Sequence, residues 1–525
     1  MKTLFRQIEQ FKNSNLCAIW FNDKDYSYDY LIRYTKKLAE YLKNSGIKKG
    51  DVITVVLPNI PLTIYSLYAL DLLGCVQNII HPLTPFDRIM KTMNEVGSKH
   101  VILLGTLYQD NIDKLDPSIN YYFVNPLYDM GLIKRNLFYL KFKKAKEKDN
   151  IHLIDKFRSF KEIDEVIDRD PLETSIYLHS GGTTGVSKTI ELSDSALNNL
   201  ADKVPWIVTG DLRGKGMLAV LPTFHGFGLG MGVHAALSNG GESYLMMKFN
   251  SDKTLELIDK NRVHFVIGIP LLYEKLYVKA KFKETNFKNV IAMFIGGDKV
   301  PPSLIEKYNK HFEENGSKGK LLEGYGLTET VTVCSVNTPE DFKVSSIGKP
   351  LHGIEMEIRD EGGKKLGPNE DGEIYIKGDT TMNGYLNDID TTNKTLIIEN
   401  GEIWVKSGDI GYIDDDGFIF FKGRAKRVFK IAGINVYPHE VERLITNIDE
   451  VFDAALEYFS EPKPHLNLYI IKHKDYSDIE VIRKKIVDEL EHNVLKYSMP
   501  QKIIFLDKFP ETNVGKIDHS KFIDE

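Results

Sequence analysis

The chain has 525 residues, more than one hydrophobic core usually supports, so two or more domains are expected. Its 42% apolar and 27% charged residues are typical of a soluble globular protein. The net charge of −6 and the pI of about 6.2 give no bulk attraction for nucleic acid, which is therefore not an expected partner.

The beginning of the chain and its cysteines favour a cytoplasmic protein. The start, MKTLFRQIEQF, is charged throughout and lacks the apolar core and cleavage site of a signal peptide. The longest apolar runs fall well short of the roughly 18 residues of a membrane-spanning helix. Cys17, Cys75 and Cys334 are far apart and have no metal-type spacing, so we interpret them as small buried apolar residues in a reducing compartment.

Between about residues 50 and 330, short apolar runs alternate with amphipathic helical patterns. Two of the helical patterns are IPLTIYSLYALDLLG and PSLIEKYNKHFEENG, the second with Pro302 near its start and Gly316 at its end. The runs that predict buried strands are VITVVLPN, VILLG, SIYLHS, MLAVLPTF, HFVIGIP and VIAMFIGG. This alternation predicts parallel sheets covered by helices, and the length fits two such sheets.

The pattern changes twice in the last third of the chain. After about residue 345, short strands joined by Gly-Gly and Asp-Gly turns predict antiparallel hairpins and a small β-barrel. From about residue 427, two helical patterns, HEVERLITNI and SDIEVIRKKIVDELEHNVL, accompany the strand patterns FDAALEYF, LNLYIIKHK and KIIFLDKF. The sequence therefore predicts a compact α+β domain at the end of the chain.

The segment LHSGGTTGVSKT, residues 178–189, carries groups that hold phosphate. Gly185 is separated from Lys188 by two residues only, so the spacing of a Walker loop fails by two. The loop is predicted to connect the strand SIYLHS to the helix SDSALNNLADKV, where glycine-rich backbone can present N–H groups to an anion. An ordinary tight turn, with the glycines at positive φ, is the alternative.

Four further motifs add chemistry to this loop. EGYGLTET, residues 323–330, offers Glu329 as a ligand for a hard cation such as Mg²⁺. KSGDIGYIDDDG places Asp409 at a predicted strand end, where a carboxylate can hold two ribose hydroxyls. GRAKR begins at Gly423, where the predicted barrel gives way to the last domain, and ETNVGKID places Lys516 in a loop near the C-terminus. Each motif alone has a structural alternative: an N-cap, a hairpin turn, a charged linker or a solvated tail.

In combination and order, these motifs resemble the AMP-forming adenylating enzymes, a superfamily of acyl- and aryl-CoA synthetases, peptide-synthetase adenylation domains and luciferase. The resemblance runs over nearly the whole chain. The phosphate loop of that family is typically Thr-Ser-Gly-Ser/Thr-Thr-Gly-x-Pro-Lys-Gly, and residues 180–188 match it. Gly182, Ser187 and Thr189 depart from the pattern but keep its hydroxyls and lysine, so they affect only the rigidity of the loop.

The resemblance implies a role for each matching residue. In the phosphate loop, Ser180, Thr183, Thr184 and Lys188 would bind the phosphates of ATP. In GYGLTE, Tyr325 would stack on adenine, Thr328 would contact the α-phosphate and Glu329 would bind Mg²⁺.

The remaining implied roles are spread over the second half of the chain. Asp409 would hold the ribose together with Arg424, and Ser407 stands where threonine is usual. Lys516 matches the lysine that serves adenylation. GGDKVP resembles the segment beside adenine, which makes Gly297 and Asp298 further candidates.

The resemblance also implies the fold and the reaction. We expect an α/β fold with a large N-terminal domain, residues 1–424, made of two doubly wound helix-covered sheets and the small β-barrel. A small, mobile α+β domain, residues 425–525, would follow a hinge at Lys426. ATP would activate a carboxylic acid to an acyl-adenylate, which coenzyme A would then convert to a thioester with release of AMP. Gly433 would make room for pantetheine, although a simple hairpin turn explains this glycine equally well.

The segment LPTFHGFGLGMG resembles the part of the family that lines the acyl pocket. Amino-acid-activating relatives have an aspartate after the phenylalanine, but here His225 follows Phe224, so an α-amino acid is disfavoured. Gly228 and its neighbouring glycines would leave room for a fatty acid, with an aryl acid as the second choice. A structural histidine and glycines that serve helix packing are the open alternatives.

Other functions remain as alternatives. An acyl carrier protein could replace coenzyme A as the acceptor, or the chain could be a binding protein without turnover, although retention of the polar motifs argues against the latter. A P-loop kinase fits least. The basic and aromatic segment at residues 133–149 raises the possibility of contact with a membrane surface, but a solvated helix or loop is favoured.

Overall fold

The computed structural model describes most of the chain. The residues described are 2–125, 147–167, 169–180, 188–208, 210–431, 434–461, 463–473, 478–511 and 517–524, with positions 127, 136, 137, 140 and 476. The predicted membrane-surface segment thus lies almost entirely outside the described residues. None of the helices in these ranges combines the length and apolar character needed to cross a membrane.

The helices of the described residues vary in length from 3 to 17 residues. They are Leu4–Glu9, Tyr28–Asn44, Pro61–Leu72, Phe86–Glu95, Thr106–Asn111, Asp194–Ile207, a π-helix Phe227–Ala235 that continues into Ala236–Ser238, Ser251–Asp259, Pro270–Tyr277, Pro302–Glu314, Ile389–Thr395, Pro438–Ile445 and Ile479–Asn493.

The first nineteen strands, β1 to β19, run up to residue 385. They are β1 (Cys17–Phe21), β2 (Lys24–Ser27), β3 (Val52–Val56), β4 (Val76–Ile79), β5 (His100–Leu104), β6 (Asn120–Val124), β7 (Ile151–Leu153), β8 (Thr174–His179), β9 (Thr189–Ser193), β10 (Gly216–Ala219), β11 (Glu242–Leu245), β12 (Phe265–Gly268), β13 (Ala292–Ile295), β14 (Lys320–Gly326), β15 (Val333–Val336), β16 (Lys349–Pro350), β17 (Ile354–Arg359), β18 (Gly372–Gly378) and β19 (Gly384–Tyr385).

The remaining strands belong to a third sheet, which also contains β17 and β18, and to the C-terminal unit. They are β20 (Leu396–Glu399), β21 (Glu402–Ile413), β22 (Ile419–Arg424), β23 (Phe429–Ile431), β24 (Ile434–Val436), β25 (Val451–Phe459), β26 (His465–Lys472) and β27 (Lys502–Phe505).

Two large sheets dominate the described part of the chain, as predicted. One has the order β19-β9-β8-β4-β3-β5-β6-β7 and the other the order β16-β15-β14-β13-β12-β10-β11-β1-β2. Their central strands pair in parallel, and antiparallel strands lie only toward the edges. The sequence predicted an amphipathic helix in IPLTIYSLYALDLLG, but the helix Pro61–Leu72 is buried along its whole length, so it has no solvent-exposed side. The prediction of helix-covered parallel sheets is confirmed.

The phosphate loop differs from its prediction. It does not lead from a strand into a helix, because residues 181–187 join β8 to the antiparallel strand β9, and the helix Asp194–Ile207 begins only after β9. The five residues TIELS form this extra strand, with Ser193 as the N-cap of the helix. The N-terminal dipole of that helix is therefore one strand away from the loop.

The last third of the chain contains two smaller units. In the region predicted as a barrel, the described strands form an antiparallel sheet in which β21 pairs with β18 on one edge and with β20 and β22 on the other. The C-terminal unit has its own core, in which β25, β26 and β27 pack against the two helices that the sequence predicted. In the helix Ile479–Asn493, Ile482, Ile486 and Leu490 are buried, whereas Ile479 is exposed.

A buried ion cluster joins three distant helices of the large unit. The Arg169 guanidinium contacts Asp71 at 2.6 Å and Asp194 at 2.5 Å, and its Nη1 donates to the carbonyl of Cys75. Asp71 also accepts from the backbone N–H of Phe5 at 2.6 Å. Burial and the neighbouring Asp194 raise the pKa of Asp71, and the charge of Arg169 opposes this rise. The arginine therefore allows two carboxylates to lie inside the core.

We predict that Arg169→Met destabilises the fold by about 3–5 kcal/mol, because it leaves two buried carboxylates without their cation. Urea unfolding measures the loss. Lys343→Met, which removes a more exposed cation from Asp414 and Asp416, is the matched control and should leave the unfolding midpoint close to that of the parent protein. Equal unfolding midpoints for the two variants would contradict the role given to Arg169.

Candidate nucleotide site

The carboxyl ends of parallel strands bring the predicted motifs together. β13 and β14 are parallel neighbours, so the segment after β13, with Gly297 and Asp298, lies beside Tyr325 at the end of β14. Gly297 has φ +80°, and a Cβ built there would meet nothing closer than 3.8 Å, so backbone conformation rather than crowding favours glycine. Asp298 is exposed and accepts from the N–H of Lys299. This edge of an α/β sheet is where such folds usually bind ligands.

Tyr325, Asp409 and Arg424 form a directly bonded cluster. The Tyr325 hydroxyl donates to Asp409 Oδ2 at 2.5 Å, and Arg424 Nε lies 3.0 Å from Asp409 Oδ1. Asp409 and Arg424 are opposite each other on β21 and β22. Ser407, which stands where threonine is usual, accepts from the N–H of Asp409 and donates to the carbonyl of Ile374.

The sequence predicted Asp409 at a strand end. In the structure it lies inside the twelve-residue strand β21. The preceding Gly408 has φ +73°, and the pairing of β21 with β22 shifts register just after Ile410. Such an irregularity re-aims side chains within a strand. A glycine at positive φ and a register shift therefore redirect the chain around Asp409 within the strand.

The environment of Asp409 sets its charge. Burial raises the pKa of Asp409 to about 6, while Arg424 and the Tyr325 hydroxyl lower it. For Arg424, burial acts against the charged form, but the carboxylate of Asp409 raises the pKa above its usual value. Asp409 is thus ionised at neutral pH only because its two partners compensate for its burial.

Glu329 belongs to a second cluster, which contains a residue that sequence reasoning missed. Tyr385 donates its hydroxyl to Glu329 Oε1 at 2.7 Å, and the ammonium of Lys188 lies 4.6 Å from the centre of the same ring. Burial, followed by the nearby charge of Glu329, raises the pKa of Tyr385, so this phenol remains a hydrogen-bond donor. Tyr385 thus connects the predicted metal ligand to the lysine of the phosphate loop.

The two clusters lie close to each other. Glu329 is among the groups that raise the pKa of Asp409, after burial, and both Glu329 and Tyr385 contribute to the raised pKa of Arg424. Thr328 and Glu329 lie in a single 3₁₀ turn directly after β14, so the same strand carries Tyr325 of the first cluster and Glu329 of the second. The structure therefore gathers two aromatic rings, two carboxylates and two cations from the strands β14, β19, β21 and β22, the turn after β14 and the residue before β9.

The ends of the phosphate loop are fixed on both sides. Ser180 N–H donates to the carbonyl of Lys188 at 2.9 Å, and Lys188 N–H donates to Ser180 Oγ at 3.2 Å. His179 contacts Asn78 at 2.7 Å and Thr189 at 3.3 Å, and burial lowers its pKa to about 4, so it remains neutral. Thr183, Thr184, Gly433 and Lys516 lie outside the described residues, and their roles stay predictions.

The predicted acyl-pocket segment forms the start of the π-helix. His225 and His81 each place a ring 4.4 Å from that of Phe224, and burial lowers the pKa of His81. Gly228 does not line open space. A Cβ there would lie 2.3 Å from the carbonyl oxygen of Pro222, so close packing explains this glycine without a substrate role.

The C-terminal unit meets the large unit through polar side chains. Lys299, next to Asp298, donates to Asp453 at 2.9 Å and lies 3.6 Å from Glu442. Lys307 pairs with Asp449 at 2.7 Å. The predicted hinge residue Lys426 is exposed in the short turn Ala425–Arg427 that leads from β22 into the C-terminal unit.

Comparisons with known proteins show which family this chain belongs to. The profile of the family described as AMP-binding enzyme matches residues 4–386. The long-chain-fatty-acid–CoA ligase of Bacillus subtilis is 27% identical, over 97% of this chain and 91% of its own. The 4-coumarate–CoA ligase 2 of Solanum tuberosum is 26% identical, over 98% of this chain and 91% of its own.

Solved structures show the same fold. A crystal structure of an anthranilate CoA ligase in complex with anthranoyl-AMP superimposes with a TM-score of 0.85 at 19% identity, over 99% of this chain and 96% of that one. The o-succinylbenzoate coenzyme A synthetase of Bacillus subtilis, in complex with ATP and magnesium, gives 0.81 at 22% identity, over 99% of both chains. The chain therefore belongs to the AMP-binding enzyme family, and the adenylating-enzyme resemblance drawn from its motifs is confirmed.

We predict that Asp409 makes binding of the nucleoside pH-dependent. Because its pKa is about 6, lowering the pH from 8 to 5 protonates the carboxylate and removes the charged acceptor for the ribose hydroxyls. The dissociation constant of adenosine should rise about tenfold on crossing this range, the loss expected for one hydrogen bond to a charged group. Calorimetric titration measures it, and adenosine avoids the titration of nucleotide phosphates. An Asp409→Asn variant with the same pH profile as the parent would refute the assignment.

We predict that Tyr385→Phe lowers the rate of adenylation about tenfold, because Glu329 loses the donor that orients it. Tyr385→Leu should lower the rate of adenylation further, since it also removes the aromatic ring that contacts the ammonium of Lys188. Pyrophosphate exchange measures both variants. Tyr412→Phe, which changes a tyrosine stacked on Phe420, is the control. Equal activity of the Phe and Leu variants would show that the contact with Lys188 is not used.

Proposed function

We propose that this protein is an AMP-forming acid–CoA ligase that activates a fatty or aryl carboxylic acid. The observation that carries the proposal is the proximity of the cluster around Asp409 to the cluster around Glu329. The first cluster suits a nucleoside, because it offers an aromatic ring beside a carboxylate with two fixed partners. The second suits phosphates, because it holds a lysine and a carboxylate on one tyrosine.

The chemistry explains why both clusters are needed. A carboxylate is a poor electrophile, because its charge repels nucleophiles and its leaving group would be oxide. When its oxygen attacks the α-phosphorus of ATP, the bond to pyrophosphate breaks and an acyl-adenylate with a good leaving group forms. This step brings two anions together, so positioning and positive charge do most of the work. Lys188 supplies a positive charge in the cluster around Glu329. Lys516 is predicted to supply the second positive charge.

The residues present fit a magnesium ion. Glu329 offers one carboxylate, and no group of three His, Cys, Asp or Glu side chains gathers among the described residues. One carboxylate completed by substrate phosphates and water is the set that Mg²⁺ usually takes. Bound there, Mg²⁺ would offset the negative charge of the phosphates. Tyr385 would keep the Glu329 carboxylate turned toward it.

The acceptor step supports the role given to the C-terminal unit. A thiol must reach the acyl carbon, its proton leaves, and AMP departs as the thioester forms. Movement about Lys426 would replace Lys516 by the segment around Gly433. The interface made by Lys299 and Lys307 is polar, and contacts of this kind separate more readily than an apolar core. The relatives named as CoA ligases favour coenzyme A over an acyl carrier protein as the acceptor.

The class of acid is proposed from Phe224 and His225, which lie just before the π-helix. His225 replaces the aspartate that would pair with a substrate ammonium, and the Phe224 ring between His81 and His225 offers an aromatic, uncharged wall. The described relatives at 26–27% identity include one enzyme named for long-chain fatty acids and several named for 4-coumarate. We favour a fatty acid and keep an aryl acid as the second candidate.

Carboxylate-dependent exchange of pyrophosphate into ATP tests the proposed function without coenzyme A. Short, medium and long fatty acids, benzoate and 4-coumarate form the panel, and exchange should appear with one class only. Coenzyme A added to the successful acid should then release AMP. Folded protein that binds ATP but exchanges with no acid on the panel would contradict the proposal and favour a binding protein.

We predict that Lys516→Ala slows adenylation by roughly 10²–10³-fold, the loss that follows removal of one charge-stabilising donor. Reaction of coenzyme A with isolated acyl-adenylate should change much less, because the lysine serves only the first step. Rapid-mixing assays of the two half-reactions separate these effects. An equal loss in both half-reactions would show that Lys516 is not specific to adenylation.

A further inference from the structure

Val331 has a strained backbone immediately after the predicted metal ligand. Its φ is +67° and its ψ is −60°, a conformation that a β-branched residue rarely adopts. The N–H of Thr332 donates to the carbonyl of Thr330 at 2.8 Å and closes a tight γ-turn around Val331. A strained residue persists only where its surroundings enforce it, so the residues packed against Val331 must hold it in this conformation.

The turn fixes the backbone on both sides of Glu329. The N–H groups of Thr330 and Val331 donate to the carbonyls of Leu327 and Thr328, each at 3.1 Å. On the opposite side, the carbonyl of Glu329 accepts from Met382 at 2.8 Å. A shift of the γ-turn would therefore move the carboxylate of Glu329 relative to Tyr385.

Two glycines in or next to the π-helix pack directly against this turn. A Cβ built on Gly226 would lie only 1.8 Å from the carbonyl oxygen of Val331, and one on Gly230 would lie 3.3 Å from Val331 Cγ1. Val331 is itself 1% exposed. Gly228 faces elsewhere, toward the carbonyls of Leu221 and Pro222. Alternate glycines thus serve different neighbours.

We propose that Gly226, through the strained turn at Val331, is a positioning residue for Glu329 and Thr328. Two glycines of FHGFGLGMG, Gly226 and Gly230, which the sequence interpretation treated as room for an acyl chain, instead support the turn that positions Thr328 and Glu329. This inference rests on the proposed function, since it assigns Glu329 to the metal–nucleotide complex. The π-helix supports it, because such helices are rare and occur frequently at functional sites.

Three alanine variants separate positioning from general loss of packing. Gly226→Ala forces the backbone of Val331 to move. Gly230→Ala presses only on side chains, Val331 and Leu200, and keeps the test possible if the first variant does not fold. Gly228→Ala is the matched control, because it also creates a backbone clash on the same segment, with a closest approach of 2.3 Å, but directs it at Leu221 and Pro222.

The readout is binding rather than turnover. Mn²⁺ is titrated into each protein in the presence of ATP and followed by electron paramagnetic resonance, with melting temperatures recorded in parallel. Gly226→Ala should weaken Mn²⁺ binding about 10–100-fold, the range seen when a partner of a metal ligand is lost. Gly230→Ala should weaken it less, and Gly228→Ala should stay within about twofold of the parent protein.

Two results would overturn the inference while leaving the proposed function intact. One is a folded Gly226→Ala protein, or Gly230→Ala where the first does not fold, that binds Mn²⁺ and ATP as the parent does. The other is an equal loss in all three variants, which would reveal general destabilisation. A parent protein that binds no Mn²⁺ with ATP would instead overturn the proposed function and this inference together.

Discussion

The candidate site depends on a buried carboxylate that three strands hold in place. Burying an ionised carboxylate is costly, and the raised pKa of Asp409 records that cost. Tyr325 from β14 and Arg424 from β22 offset it, so the carboxylate ties the second large sheet to the third sheet. A group that costs stability in this way is retained where its charge is used. The ribose hydroxyls of a nucleotide are the use that the rest of the site suggests.

The phosphate side is organised by a different device. Glu329 is aimed from one side by the hydroxyl of Tyr385 and from below by a strained turn that only glycine neighbours can accommodate. Tyr385 lies on β19, which pairs with β9 directly after the phosphate loop, so the loop lysine and the carboxylate are brought to one ring. The nucleoside cluster thus relies on charge balance, whereas the phosphate cluster relies on close backbone packing.

Local periodicity predicted the parallel sheets and the C-terminal α+β unit. The motifs named Tyr325, Asp409 and Arg424, which the structure brings into contact, while their roles toward a nucleotide stay predictions. Sequence patterns did not predict β9, since TIELS is too short to distinguish from the entry to a helix. They missed Tyr385, whose role depends on a strand pairing almost 200 residues away in sequence. They also assigned Gly228 to a pocket, because a missing side chain has the same sequence signal whether it leaves room for a ligand or for a carbonyl group.

A crystal structure with a non-hydrolysable ATP analogue and Mg²⁺ tests the central claim most directly, which is that the two clusters bind one nucleotide. The account predicts adenine against Tyr325, the ribose hydroxyls on Asp409, and the metal and phosphates between Glu329 and Lys188. It also predicts that the Tyr325–Asp409 hydrogen bond lengthens or is shared with the ribose. A nucleotide whose phosphates lie beside Asp409, or that occupies another cleft, would contradict the account.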